Sequence, residues 1–442
     1  MRVRIVAALA VAVGTLASVS SASQGSTAAV LSPQSVLDWN AHAWTVVSQA
    51  QHPREATPPA TRNLFQSEGF LYLAYTQAAV YDAVVAIEGR YQPYGFSLLA
   101  PAGASPDAAV AEAAHDVLSY YLTPWLTAAQ VAQLDGWLSA SLGSIPDGQA
   151  KTDGISVGHA AALGIVAIRT NDGRDGAEGN FGTGPIVPGV WVLTPGPFTF
   201  AQTPWIATMH PFMLESTDQF RPGPPPALGS NTYARDLNEV EAYGSITSTV
   251  RTDDQTKTAY FWNANTINQY NDAFRGVVTQ HDMDLVDAAR LLAMGNMTVE
   301  DAAMACFDGK YHYLFWRPIT AIQHADIDGN SRTAADPTWA PLLATPNHPE
   351  YPSAHGCVTG ALAEILKKAL GNDHIDLTIK GSETGATTLT TSRYFDSAQD
   401  LTNQIEDARV WIGFHFRSSV EAGVALGKSV AKYDLTRNFR PT

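Results

Sequence analysis

The sequence predicts an all-α fold built of helical bundles, with at most one short β-hairpin. Three observations lead there. Apolar residues recur at three- and four-residue spacing through most of the chain. No stretch alternates strand with helix in the manner of a parallel βαβ sheet, and no tandem repeat appears. The composition, 45% hydrophobic and 16% charged over 442 residues, is that of a globular chain able to bury one large core or two moderate ones.

The elements follow in order. Arg2 and Arg4 precede an Ala/Val-rich apolar run over 5–19 and a small-residue site at Ser20-Ser21-Ala22, so residues 1–22 read as an export signal and the protein as secreted. Residues 23–32 are small and polar, a flexible leader. Helical periodicity runs over 36–51 and 64–87, the latter rich in alanine at positions where neighbours approach closely. Further helices are expected at 106–122, 127–142 and 148–171.

From 172 to 229 the chain becomes rich in Gly and Pro, with Trp191, Trp205 and several Phe and Met between. So long a segment serves either as a pocket wall or as a packing cover. A boundary after it divides an N-terminal helical region, 33–229, from a C-terminal helical core, 230–442. In the latter, helices are expected at 231–243, 253–262, 266–279 and 283–294. Thr298 has the features of an N-cap for a separate helix running to 315, with Glu300 and Asp301 in its first turn. The β-branched run 377–379 and residues 387–391 form the hairpin candidate. Helices over 397–413 and 418–434 close the chain.

The formal charge of −15 argues against broad nucleic-acid or anionic-membrane binding, and beyond the leader no window approaches 18 uninterrupted apolar residues, so no membrane insertion is expected. A cationic cluster therefore stands out. Two cysteines, Cys306 and Cys357, are compatible with one disulfide or with two separately packed thiols.

Three segments carry complementary chemistry. Lys310 and Arg317 lie seven residues apart, two helical turns, and share a face. In His348-Pro349-Glu350-Tyr351-Pro352-Ser353-Ala354-His355, two prolines hold the chain extended before Ser353, which sits at the N-cap of a helix running to Leu370. A helix start offers unpaired N–H groups and partial positive charge, here with a hydroxyl and an imidazole added. The third segment holds Arg409 and His415, which converge only if the chain bends at Gly413. One lysine, two arginines, a serine, helix amides and histidines are what a tetrahedral or trigonal-bipyramidal oxyanion requires.

This order of motifs, K-x6-RP, then PS-x-H, then R-x5-H, resembles the three-part signature of the vanadium-dependent haloperoxidases and the type 2 phosphatidic-acid-phosphatase superfamily, on the haloperoxidase-like side. The resemblance implies that Lys310, Arg317, Ser353, the Ala354 amide and Arg409 hold vanadate or phosphate. It makes His415 the axial vanadium ligand, His355 the acid–base group and His348 a second histidine as in bromoperoxidase-like members. The implied substrates are hydrogen peroxide and a halide, bromide ahead of chloride, with Lys310 polarising the peroxide. The alternative is a secreted acid phosphatase with a phosphohistidine at His415; a third is a non-catalytic extracellular protein retaining the fold. The sequence departs from the pattern at Ala354, usually Gly, at Ala408, usually Ser, and at Ser419, where Asp often orients the histidine. Phe307 is a candidate core or wall residue, His312 a structural one, and His324 and Arg417 candidates for supporting or surface roles.

Overall fold

The computed structural model describes residues 31–54, 60–196, 199–386 and 388–442. The expected export signal, and all but the last two residues of the leader, lie outside them. The described residues form a helical assembly with two small antiparallel hairpins. The helices are α1 (Gln34–Gln49), α2 (Gln66–Glu88), α3 (Pro106–Leu122), α4 (Ala128–Gly143), α5 (Gln149–Ile168), α6 (Asn231–Gly244), α7 (Asp253–Phe261) and α8 (Thr266–Gln280). They continue with α9 (Leu285–Tyr313), α10 (Pro318–Gln323), α11 (Ala354–Leu370), α12 (Ala398–Trp411) and α13 (Arg417–Arg437).

Two helices form the axis of the molecule. Both α2 and α9 are buried almost all round and pack on each other. The apolar length of α2 would suffice to cross a membrane, but here it is the core element that the alanine-rich periodicity implies. One continuous apolar core joins α1, α2, α3 and α5 to α8, α9, α11 and α13. The last two approach backbone to backbone. A Cβ added at Gly427 would lie 1.9 Å from the Cys357 carbonyl oxygen, and one at Gly360 would lie 2.4 Å from that of Val424. Glycine is thus what lets α13 fix the N-terminus of α11.

Three expectations are corrected. There are two hairpins rather than one. The additional pair is β1 (Gln51–Arg54) with β2 (Ala60–Asn63), whose short polar arms, one containing Pro53, carry no period-two signal. The other pair is β3 (His374–Gly381) with β4 (Thr391–Ser397). In β3, Ile375, Leu377 and Ile379 face inward; its partner begins where the expected second arm ends. Finally, α9 is one helix of 29 residues, not two. Thr298 is buried in its middle, and Asp301 is buried as well, accepting the amides of Phe212, Met213 and Leu214 at 2.6, 2.7 and 3.2 Å. A carboxylate required by the 212–214 backbone imitates the acidic first turn of a new helix.

The 172–229 segment does both things proposed for it. Trp191, Ile206, Phe212 and Met213 are buried as a packed cover, and Gln202 lines the central cavity. Its backbone also ties down the C-terminal region. Trp191 N–H donates to the Leu314 carbonyl at 2.6 Å, and Gln202 N–H to that of Asn347 at 2.7 Å. Cys306 and Cys357 are buried free thiols.

Candidate oxyanion site

The last turn of α9 carries Lys310, fully buried. Its ammonium donates to the Pro349 and Glu350 carbonyls at 2.9 and 3.0 Å. The helix stops at Leu314, which takes φ +47° and turns the chain back on itself. Three residues later Arg317 begins α10, with Pro318 at the first helical position where its missing N–H costs nothing. The Arg317 guanidinium points inward and is fully buried. It donates to the His348 carbonyl at 2.8 Å and the Phe414 carbonyl at 3.0 Å, and lies 3.1 Å from His415 Nε2 and 3.0 Å from His348 Nδ1.

The extended segment before α11 is held from both sides. Glu350 N–H donates to the Phe315 carbonyl and Ser353 N–H to that of Ser419, at 2.9 and 3.0 Å. Ser353 is the N-cap of α11, its Oγ accepting from Gly356 N–H at 3.4 Å. Ala354 starts that helix without positive φ, so the side chain in place of glycine costs no backbone strain. His355 follows in the first turn.

The third segment depends on one glycine. After α12 ends at Trp411, Gly413 takes φ +84°, and a Cβ there would meet the Gly244 carbonyl oxygen at 2.7 Å and Pro341 Cβ at 2.8 Å. This turn brings His415 back beside Arg409. Arg409 is 1% exposed; its Nη1 donates to the Trp262 carbonyl at 3.1 Å and its charge lies 5.1 Å from the Phe414 ring centre. His415 Nδ1 lies 2.9 Å from Glu350 Oε1, which also accepts the Phe416 amide at 3.0 Å. A carboxylate acceptor fixes the proton on Nδ1 and leaves the lone pair on Nε2.

A cavity of about 320 Å³ opens above these groups. Ala354, His355, His348, Arg409 and His415 line it, while Lys310, Arg317 and Ser353 are fully buried beneath. Among the described residues, none of the three cations is ion-paired to a carboxylate, and Glu350 is the single acid among them. The electrostatics follow. Burial, reinforced by Arg317, lowers Lys310 to about 8, although the neighbouring thiols and Glu350 oppose it. Arg317 falls to about 10 and Arg409 to about 9, again chiefly through burial, with Arg317 adding to the effect on Arg409. His348, His355 and His415 are pushed well below the usual histidine range by burial and the surrounding cations. Glu350 rises to about 7 because burial outweighs Lys310 and Arg317. Arg409 Nε and His355 Nε2 are buried without a hydrogen-bond partner among the described residues. Excess cations and orphaned polar nitrogens around one space are the signature of a bound anion. A vanadate or phosphate oxyanion fits this donor set, and the Nε2 lone pair of His415 suits an electrophilic centre.

The structure thus brings Lys310, Arg317, His348, Ser353, Ala354, His355, Arg409 and His415 around one centre. Phe307 stands in the cavity wall with its ring 5.3 Å from that of His348. His312 is exposed, and Arg417 faces away, paired with Glu239 and Asp407. The group that orients His415 was not found from sequence. Ser419 Oγ donates to the Glu350 carbonyl at 3.4 Å and lies beside the Glu350 carboxyl group rather than His415, and Glu421 is exposed. The partner is Glu350, from the neighbouring motif, whose only sequence signal is a carboxylate between prolines in an otherwise buried stretch. Equally unforeseen are Leu64, Phe65, Gln66, Ser67 and Phe70, which bring the link after β2 and the start of α2 into the cavity wall.

Comparison with known proteins places the fold. Residues 290–440 match the family described as the VCPO second helical-bundle domain. The vanadium chloroperoxidase of Curvularia inaequalis is 24% identical over 264 residues, 45% of this chain; the matched part spans only 43% of that protein. The crystal structure of the first bacterial vanadium-dependent iodoperoxidase superposes with a TM-score of 0.73 at 19% identity, covering 93% of this chain and 97% of that one. A holo-type bacterial vanadium-dependent chloroperoxidase gives 0.68 at 18%, covering 84% and 91%. At these identities the structural likenesses establish the fold.

Proposed function

We propose that this chain, which belongs to the vanadium-dependent haloperoxidase branch of its helical superfamily, is an exported enzyme that oxidises a halide, bromide ahead of chloride, with hydrogen peroxide. The observation that carries the reading is the surplus of buried cations around orphaned nitrogens, with a neutral His415 presenting Nε2. Lys310, Arg317, Ser353, the Ala354 amide and Arg409 would hold vanadate through its oxygens, and His415 Nε2 would bond the metal. Bound vanadate supplies a Lewis acid that activates peroxide toward two-electron oxidation of halide.

The rest is work for the protein's own groups. Arg409 is fixed by the Trp262 carbonyl, so its unpartnered Nε–H would meet the anion without reorganisation, while Arg317, held by three carbonyls, would turn the N–H groups now on His415 and His348 toward it. Lys310 donates from a dry site, where its charge polarises a peroxide oxygen more strongly than in water. His355, held neutral by burial and the surrounding cations and with Nε2 unpartnered, would be the group that accepts and returns a proton when vanadate and peroxide are bound. His348 lies beside Arg317 and Phe307, where a hydrogen bond or an acquired charge helps place the halide. The basic and apolar leader over 1–22 supports export.

Glu350 favours a second reading. A carboxylate behind His415 also raises the nucleophilicity of Nε2, as a phosphohistidine route needs, so phosphomonoester hydrolysis stands as the alternative. One assay separates the two. Vanadate-free protein is tested with and without orthovanadate, against peroxide with bromide and against a phosphate monoester. Activation of bromide oxidation by vanadate is the expected result. Monoester hydrolysis inhibited by vanadate, with no bromide oxidation, overturns it.

A further inference from the structure

Resting on that haloperoxidase reading, we propose that the same cavity also binds the organic acceptor, a neutral phenol-like aromatic compound, so that halogenation takes place inside the protein rather than on diffusible oxidant. The wall facing the cationic floor is apolar: Leu64, Phe65, Phe70, Ala303, Phe307 and Val358. Peroxide and halide are small and strongly hydrated, and such a surface does nothing for them; a ring gains from it throughout.

The wall is also built rather than incidental. The Arg62 guanidinium lies 4.1 Å from the centre of the Phe65 ring. Arg62 is in turn clamped by Glu68 through two bonds of 2.6 and 2.7 Å, and Glu68 accepts the Phe65 amide at 2.7 Å. An aromatic side chain held by a buried ion pair presents a preorganised face for stacking.

Most polar groups of this wall are already committed. Gln66 Oε1 accepts from Thr266, and Ser67 is bonded to Thr203. Thr345 differs: it lines the cavity, is 4% exposed, and its Oγ1 has no partner among the described residues. An unpartnered hydroxyl beside this apolar wall suits a ligand with one polar substituent. A phenol satisfies both features, its ring against Phe65, Phe70 and Phe307 and its O–H at Thr345.

The chemistry balances with the reactants already named. Halide loses two electrons to peroxide, giving a hypohalous acid and, with a proton taken up, water. The ring then forms a carbon–halogen bond as the O–halogen bond breaks, and the displaced ring proton leaves with hydroxide as a second water.

The test uses phenol as the probe. Vanadate-loaded protein is supplied with peroxide, bromide and phenol, and the ortho-to-para bromophenol ratio is compared with that from hypobromite added without protein. The ratio is expected to differ by about threefold or more, and to return to the free value in Phe65→Ala and in the isosteric Thr345→Val. A wild-type ratio equal to the free one overturns the proposal. A second arm needs no turnover: phenol binding to vanadate-free protein is followed by ligand-observed NMR. Binding that weakens about tenfold in either variant supports the site, and no binding to wild type overturns it. Phenol binding without any bromide oxidation upholds the site and removes the haloperoxidase reading instead.

Discussion

At the scale of single residues, the site is a set of charges placed where water cannot compensate them. Glu350 has the most consequential position. One oxygen serves both His415 Nδ1 and the Phe416 amide, and the other is buried without a partner. Removing the side chain leaves two buried donors unpaired and frees the ring to turn. Glu350→Ala is therefore expected to lower vanadate affinity or turnover by about 10–100-fold, the range for partners that orient a metal-bound histidine. Ser419→Ala should change either by far less, since its hydroxyl bonds Glu350 and not the His415 ring. Equal losses in the two variants, measured by vanadate titration, would show that the orienting partner has been misassigned.

At the scale of elements, close backbone approach does the positioning. The α11–α13 glycine seam fixes the Ser353 helix start, and the Gly413 turn joins Arg409 to His415. Gly413→Ala must place a Cβ against the Gly244 carbonyl and Pro341 in a left-handed conformation. It should destabilise the fold by about 2–4 kcal/mol, read from the urea midpoint. An unchanged midpoint would mean the turn is not constrained as described.

Much of this scale was legible in the sequence. The spacing of Arg409 and His415 demanded a bend at the only glycine between them, and helix α3 lies over the 106–122 span expected for it. What misled were residues answering to tertiary partners. Glu300 and Asp301 imitate a helix start because buried carboxylates and a first turn look alike in one dimension. The β1–β2 hairpin carries no alternation because its arms are short and polar, and its Arg62 packs on Phe65 in the link that follows. Glu350 was on the page, but its partner is 65 residues away.

At the scale of the whole molecule, an acidic protein of net charge −15 concentrates three unpaired cations in its centre, walled by both halves of the chain. Filling that centre with an oxyanion is the central claim, and calorimetric titration of vanadate-free protein with orthovanadate tests it most directly. The depressed Lys310 value means that the empty fold holds this proton less tightly than the unfolded chain. The unfavourable charge is present below about pH 8 and is relieved as pH rises through that value. An arriving anion restores the proton, so binding above that pH must take one up. The expected result is one site per chain, affinity that falls as pH rises through about 8, and loss of tight binding in His415→Ala. Binding of equal strength in His415→Ala, or affinity indifferent to pH across that range, would contradict the account.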